Sequence, residues 1–180
     1  MRVAYDNLDA ASFPQRGGVG GLSWYSARRS LGADLPYDKL TARWQQAFSS
    51  GPHTLLAGVQ VGSRLNSTLP YYDEFTLGGL FRLSGLATDQ LRGQDMALFS
   101  VRYRHRIGGA AGGFAGRLYV GGSLEAGQVW AVRKDVRPSS LRGAASAFVA
   151  ADTLFGPLYL AYGRAEGGHD AYYLYLGRTF

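Results

Sequence analysis

The chain has 180 residues, enough for one domain with a sizeable core, and a formal net charge of +6. It contains no cysteine, which excludes disulfide bonds and thiolate metal sites. No stretch approaches the ~18 apolar residues of a transmembrane helix. A basic balance indicates nucleic-acid binding when the charges gather on one exposed face. Here the arginines alternate with apolar residues, so we expect no nucleic-acid partner.

Strict alternation of apolar and polar residues runs along most of the chain, whereas helical periodicity is nearly absent. In residues 96–107, for example, Phe99 and Val101 alternate with Arg102 and Arg104. This pattern predicts an all-β chain. In chain order, we predict strands at 2–8, 17–31, 38–50, 53–66, 95–108, 116–131, 143–155, 157–166 and 170–180.

The alternation also gives each predicted strand a polar face, which is rich in arginine, glutamine and glycine. Few glycines can pack a dry core, so we expect the apolar face to meet lipid and the polar face to line a lumen. Arginines in a lumen tune what a channel admits or pair with acids. The predicted lumen-lining residues are Arg43, Arg64, Arg102, Arg104, Arg106 and Arg117.

Short connections alternate with long ones along the chain, as in outer-membrane barrels. Tight turns are predicted at 51–52, 156–157 and within 108–116, and long loops at 32–37, 67–94 and 132–142. Many predicted strands exceed the globular mean of ~5–6 residues and suit the ~9–11 tilted residues that cross a bilayer.

We therefore expect an antiparallel transmembrane β-barrel that closes with about eight strands and leaves the short run 2–8 over. Two copies could instead join their edges into a larger ring, because an exposed strand edge is intolerable in lipid. A soluble lipocalin-like barrel with an apolar ligand in its interior would show the same alternation with the faces reversed.

The sequence ends in "AYYLYLGRTF", an alternating aromatic and apolar run. Tyr172, Leu174, Leu176 and Phe180 share one face of this predicted strand, and Gly177 lies on the other. A terminal aromatic strand resembles the signal by which the barrel assembly machinery recognises outer-membrane barrels. We expect this machinery and outer-membrane lipid to be partners.

Neither the histidines nor the first residues show a sequence motif for a metal site or a signal peptide. His53, His105 and His169 lie far apart and show no recognisable ligand spacing, so we expect no metal and no cofactor. The opening residues "MRVAY" lack the apolar core of a signal peptide. We expect a mature segment or a part of something longer.

Four stretches carry a family resemblance. "YDNLDAASFPQRGG" (5–18) is similar to a periplasmic turn, "FTLGGLFRLSGL" (75–86) to the start of a long sixth extracellular loop, "GSLEAGQVW" (122–130) to the strand after it, and 155–180 to a closing strand pair. In this order they resemble the C-terminal half of the sixteen-stranded barrels of the outer-membrane insertase and translocator superfamily that includes BamA, TamA and FhaC. The "RLSG" form is similar to patatin-like autotransporters such as PlpD.

The resemblance implies that an arginine of the long loop reaches an acid in the lumen. Family loops usually place this arginine one residue before a glycine, whereas Arg82 lies three residues before Gly85. We expect Arg82 to pair with Glu125, and Arg92 is the second candidate. Ser84 belongs to the same predicted latch.

Loop 67–94 is too long and too apolar for a solvated tail. We expect it to fold into the lumen, with Gly78 and Gly79 as its hinge.

Sequence signals for catalysis are weak. No Gly-x-Ser-x-Gly elbow occurs, and "GGVGG" (17–21) lacks the lysine and helix of a phosphate loop. We therefore expect residues 1–180 to be one barrel segment with no catalysis of its own. The resemblance implies a bacterial outer-membrane translocator or anchor that helps to secrete or display a passenger domain, as in type V secretion. Purely structural anchoring and the soluble barrel are the alternatives.

Overall fold

A computed structural model of the chain describes residues 1–109 and 115–177. This part of the chain forms eleven strands. In chain order they are Arg2–Asp6 (β1), Gly17–Ala27 (β2), Tyr37–Ser50 (β3), His53–Arg64 (β4), Phe75–Leu77 (β5), Leu91–Gly93 (β6), Asp95–Gly109 (β7), Ala115–Trp130 (β8), Arg142–Thr153 (β9), Gly156–Ala165 (β10) and His169–Leu176 (β11).

Helices contribute little to the described residues. Each is a short 3₁₀ turn, and none is long and apolar enough to cross a membrane. They span Arg29–Leu31, Tyr71–Asp73, Arg133–Asp135 and Pro138–Ser140.

Nine strands form one antiparallel sheet in the order β1-β2-β3-β4-β7-β8-β9-β10-β11, while β5 and β6 form a separate hairpin. Every predicted strand is present in the large sheet. The run that begins at residue 2 is not left over, because Arg2 pairs with Ser23 of β2. The strands β5 and β6 were not predicted, because runs of three residues are too short to show alternation.

The two faces of the sheet differ as the alternation predicts. On one face, Val101 of β7 lies opposite Leu124 of β8, and the two side chains are 43% and 68% exposed. On the other, Arg102 lies opposite Ser123. We call the first the outer face and the second, which loops cover, the inner face.

The predicted closure into an eight-stranded barrel is wrong. β1 and β11 are the two edges of the sheet, and no pairing joins them within residues 1–109 and 115–177. An eight-stranded barrel has room for little more than side chains. Here segments of two loops occupy the inner face of the sheet.

Connections emerge at two ends of the sheet. Loops 28–36, 65–94 and 131–141 lie at one end, which we call the loop end. The tight connections 51–52 and 154–155 lie at the opposite, turn end, together with the longer connection 7–16. The predicted turn within 108–116 falls partly outside the described residues.

Candidate functional site

Loop 65–94 lies on the inner face of the sheet. Leu77 and Leu83 are completely buried there, and both belong to a cluster that includes Met96 and Leu98 of β7. Burying a leucine side chain contributes about 1.5–3 kcal/mol. The apolar residues of the loop therefore hold it against the sheet.

A buried polar contact fixes the tip of this loop. The Ser84 N–H donates to Oε2 of Glu125 at 2.6 Å, and the Ser84 hydroxyl donates to Oε1 at 3.0 Å. The Ser123 hydroxyl also donates to Oε1. Ser84 is fully buried and Glu125 is 4% exposed. Hydrogen bonds to a charged acceptor are the stronger kind, so this contact is the polar centre of the latch.

Arg82 does not make the predicted ion pair with Glu125. Its Nη2 donates to the carbonyl of Thr76 at 2.7 Å, within the loop. No Arg82–Glu125 salt bridge occurs among the described residues. Phe81 and Leu83 both have positive φ, 64° and 74° respectively. This backbone path aims Ser84 at the Glu125 carboxylate. The second candidate, Arg92, lies over the ring of Tyr71.

Two glycines of the loop meet specific steric demands. Gly85 has φ of 110°, and a side chain there would run into the backbone of Ala165 and Arg164. Gly78, with φ of 131°, lies against the backbone of Ala87 where the loop leaves β5. Gly79 also has positive φ. These positions favour glycine because an L side chain rarely adopts such backbone angles.

Tyr173 of β11 is a loop anchor that the sequence analysis missed. Its hydroxyl accepts the Gly85 N–H at 2.8 Å and donates to the carbonyl of Leu86 at 2.8 Å. The alternation of residues 171–177 places Tyr173 on the inner face, but nothing in the sequence pairs it with a loop about 90 residues away. The loop is thus tied to both β8 and β11.

The connection 7–16 enters the inner face from the turn end. Phe13 is buried and stacks on Tyr119, with ring centroids 4.3 Å apart. Arg104 donates from Nη2 to the carbonyl of Pro14, and its guanidinium lies 5.4 Å from the Phe13 ring. Its guanidinium is therefore packed under a loop instead of lining a water-filled lumen.

The two loops meet at Tyr159 of β10. The ring centroids of Phe13 and Phe81 each lie 5.6 Å from that of Tyr159. The guanidinium of Arg102 lies 3.5 Å from the Phe81 ring centroid, close enough for a cation–π contact. Arg102 and Arg104 thus each hold one loop.

The remaining predicted lumen residues also lie at inner-face positions. Arg43 lines a cavity of about 390 Å³ between β3, β4 and the long loop. Arg64 lies 3.9 Å from Asp95 at the loop end. Arg106 and Arg117 are exposed near the turn end.

Asp9 organises the connection 7–16. Its carboxylate accepts the backbone N–H groups of Gln15 at 2.8 Å and Arg16 at 3.1 Å. Desolvation acts to raise the pKa of Asp9, but these backbone hydrogen bonds outweigh it and lower the pKa below its ordinary value. The ionised form therefore favours the folded turn.

The C-terminal strand has the predicted faces as far as the structure describes it. Tyr172 and Leu174 are 79% and 77% exposed on the outer face, and Leu176 lies beside them. The Gly177 N–H donates to the carbonyl of Pro157 at 2.8 Å. Phe180 lies outside the described residues.

Comparisons with known proteins agree with this architecture. A family model described as an Omp85 superfamily domain matches residues 1–180. The fold is similar to the crystal structure of BamA from Haemophilus ducreyi lacking POTRA domains 1–3, with a TM-score of 0.74 and 15% sequence identity. The match covers 95% of this chain and 39% of that chain. No curated protein matches the sequence.

Proposed function

Because the chain belongs to the Omp85 superfamily, we propose that it is the barrel segment of a translocator that anchors a parent protein and helps a passenger domain reach the surface. Membership places the chain in the bacterial outer membrane and is consistent with a role in translocation or insertion. The assignment to type V secretion, as in patatin-like autotransporters, rests on the "RLSG" form at 82–85. We propose no catalysis by the chain itself.

The observation that carries the proposal is the loop tip held on Glu125. Translocation requires a conduit that opens, and loop 65–94 occupies the inner face. Besides its apolar packing, its tip is fixed by a few polar contacts to Glu125 and Tyr173. Such contacts break and re-form without unfolding the sheet, so the loop is suited to gate a conduit.

The outer face is suited to lipid. Phe99 and Leu174 are 47% and 77% exposed, and the polar side chains of Ser123 and Glu125 are buried on the inner face. A soluble lipocalin-like barrel needs the reverse arrangement, with its apolar face inward. This argues against the soluble alternative.

The edges of the sheet need partners. β1 and β11 end the sheet, and unpaired backbone groups are costly in lipid. We propose that further strands cover these edges after the barrel assembly machinery inserts the chain. A second copy of the chain would supply them in a homodimer, and its presence is tested by the protomer count in micelles.

One observation favours the rival function, a purely structural anchor. The loops that enter from the two ends meet at Tyr159 and cover the inner face between them. An anchor needs no conduit, so loops that remain seated would suffice for it. The rivals therefore differ in whether loop 65–94 moves.

The test is conductance and display with and without the loop tip. We would delete 76–90 and, as a matched control, residues 132–136 of the exposed loop at the same end. Liposome conductance and surface exposure of a tagged passenger on intact cells would be measured. If the chain is a translocator, conductance should change only when 76–90 is deleted, and the intact chain should expose the passenger on the cell surface. Equal conductance of the intact chain and both deletion variants, with the passenger kept inside the cell, would contradict the translocator and support the purely structural anchor.

A further inference from the structure

The fold brings two of the three histidines together. His53 of β4 and His105 of β7 lie directly opposite each other. The Arg106 N–H donates to the carbonyl of Pro52 at 3.0 Å. Hydrogen-bonded and non-hydrogen-bonded pairs alternate along an antiparallel ladder, so the adjacent pair, His53 and His105, is a non-hydrogen-bonded one. Side chains lie closest at such pairs. The Nδ1 atoms of the two rings are 3.3 Å apart.

A third polar atom converges on this pair. The Tyr103 hydroxyl oxygen lies 2.7 Å from Nδ1 of His53. That nitrogen offers one lone pair or one proton, depending on the tautomer, yet it faces both Tyr103 and His105. When both neutral rings carry their proton on Nε2, both Nδ1 atoms hold lone pairs, and their separation of 3.3 Å puts them within reach of one ion.

We propose that His53 and His105 form a chelating site for a divalent transition-metal ion such as Zn²⁺ or Cu²⁺. Two nitrogens that each bind zinc at about 2.0–2.1 Å, at a tetrahedral angle, lie about 3.3–3.4 Å apart. The observed separation of 3.3 Å therefore fits a tetrahedral Zn²⁺ ion. Imidazole nitrogen suits both zinc and copper.

The surroundings of the pair define what kind of site it is. His53 is exposed at the turn end of the outer face, so an ion reaches it from water. No group of three or more His, Cys, Asp or Glu able to hold a metal ion occurs among the described residues. Water therefore completes the coordination, and the ion exchanges readily. Bound, it joins β4 to β7 at the rim of the sheet.

The experiment uses the purified full chain in detergent micelles, with Cu²⁺ and Zn²⁺ added as simple salts. His53→Gln and His105→Gln each remove one ligand, and His169→Gln is the matched control because His169 lies at the loop end on β11. We expect Zn²⁺ affinity, measured by calorimetry, to fall about tenfold or more in the first two variants and to stay unchanged in the control.

A second measurement needs no variant, which protects the test against misfolding. Electron paramagnetic resonance of Cu²⁺ on the unmodified chain should show coupling to two imidazole nitrogens. A spectrum with one nitrogen or none, no binding at millimolar metal, or equal affinity in all three variants would overturn the proposal.

Discussion

Replacing Glu125 with leucine tests whether polar contacts hold the long loop on the inner face. The substitution removes the acceptor of the Ser84 N–H and of the hydroxyls of Ser84 and Ser123. The Ser123 hydroxyl can turn to Ser146, whose Oγ is 2.6 Å away. The buried Ser84 N–H has no such choice, because the backbone fixes its direction.

The size of the effect follows from these losses. A buried donor left without an acceptor costs about 1–3 kcal/mol, and a hydrogen bond to a charged group is worth about 1.5–3 kcal/mol. The leucine side chain recovers part of this by packing. We expect the seated loop to lose about 2–4 kcal/mol relative to the released loop, which raises the released-to-seated ratio about 30- to 900-fold.

Limited proteolysis of the folded chain in micelles would measure this ratio, because a released loop is cleaved within residues 78–90. The control is Glu166→Leu, since Glu166 is exposed and accepts the Gly143 N–H at 3.2 Å at the surface. Glu125→Gln should be intermediate, because its amide oxygen still accepts the Ser84 N–H. Identical cleavage rates for Glu125→Leu and the unmodified chain would refute this account of the latch.

Three further outcomes are expected. Val101→Asp, on the outer face, should reduce membrane assembly, at a cost below the about 2–4 kcal/mol that arginine or lysine costs at mid-bilayer, whereas the neighbouring inner-face Ser100→Asp should be mild; equal folded fractions on a gel would show that the faces are misassigned. Tyr173→Phe should weaken loop seating by about 1–3 kcal/mol, seen as faster loop proteolysis, because two backbone groups lose their partner. The lowered pKa of Asp9 should stabilise connection 7–16 above the ordinary carboxyl pKa of about 3.9 and cease to do so as pH falls through the folded-state value. Hydrogen exchange of the Gln15 amide should therefore show protection that is lost in acid, and Asp9→Asn should remove this pH dependence.

The strands and their faces could be predicted because the signal is local. Side chains alternate across a strand, so the order of residues alone puts Val101 and Arg102 on opposite faces. The same rule places Glu125 and Tyr173 on the inner face before any contact is known. Register errors are disfavoured, since a slip of one residue would exchange the two faces.

The latch partner could not be predicted in the same way. The family resemblance pointed to Arg82, but the positive φ angles of Phe81 and Leu83 turn the chain so that Ser84 meets Glu125. Sequence alternation carries no information about an irregular loop. The packing of Phe13 against Arg104 was missed for the same reason.

By itself, the sequence determined an all-β chain, the position of nine strands and the apolar and polar face of each, because these follow from a two-residue period. Only the tertiary structure decided that the sheet is open across the residues it describes, that two loops meet at Tyr159, and that the Nδ1 atoms of His53 and His105 lie 3.3 Å apart. Those features depend on strand register and loop path, which join residues far apart in the chain through the packing of the whole molecule.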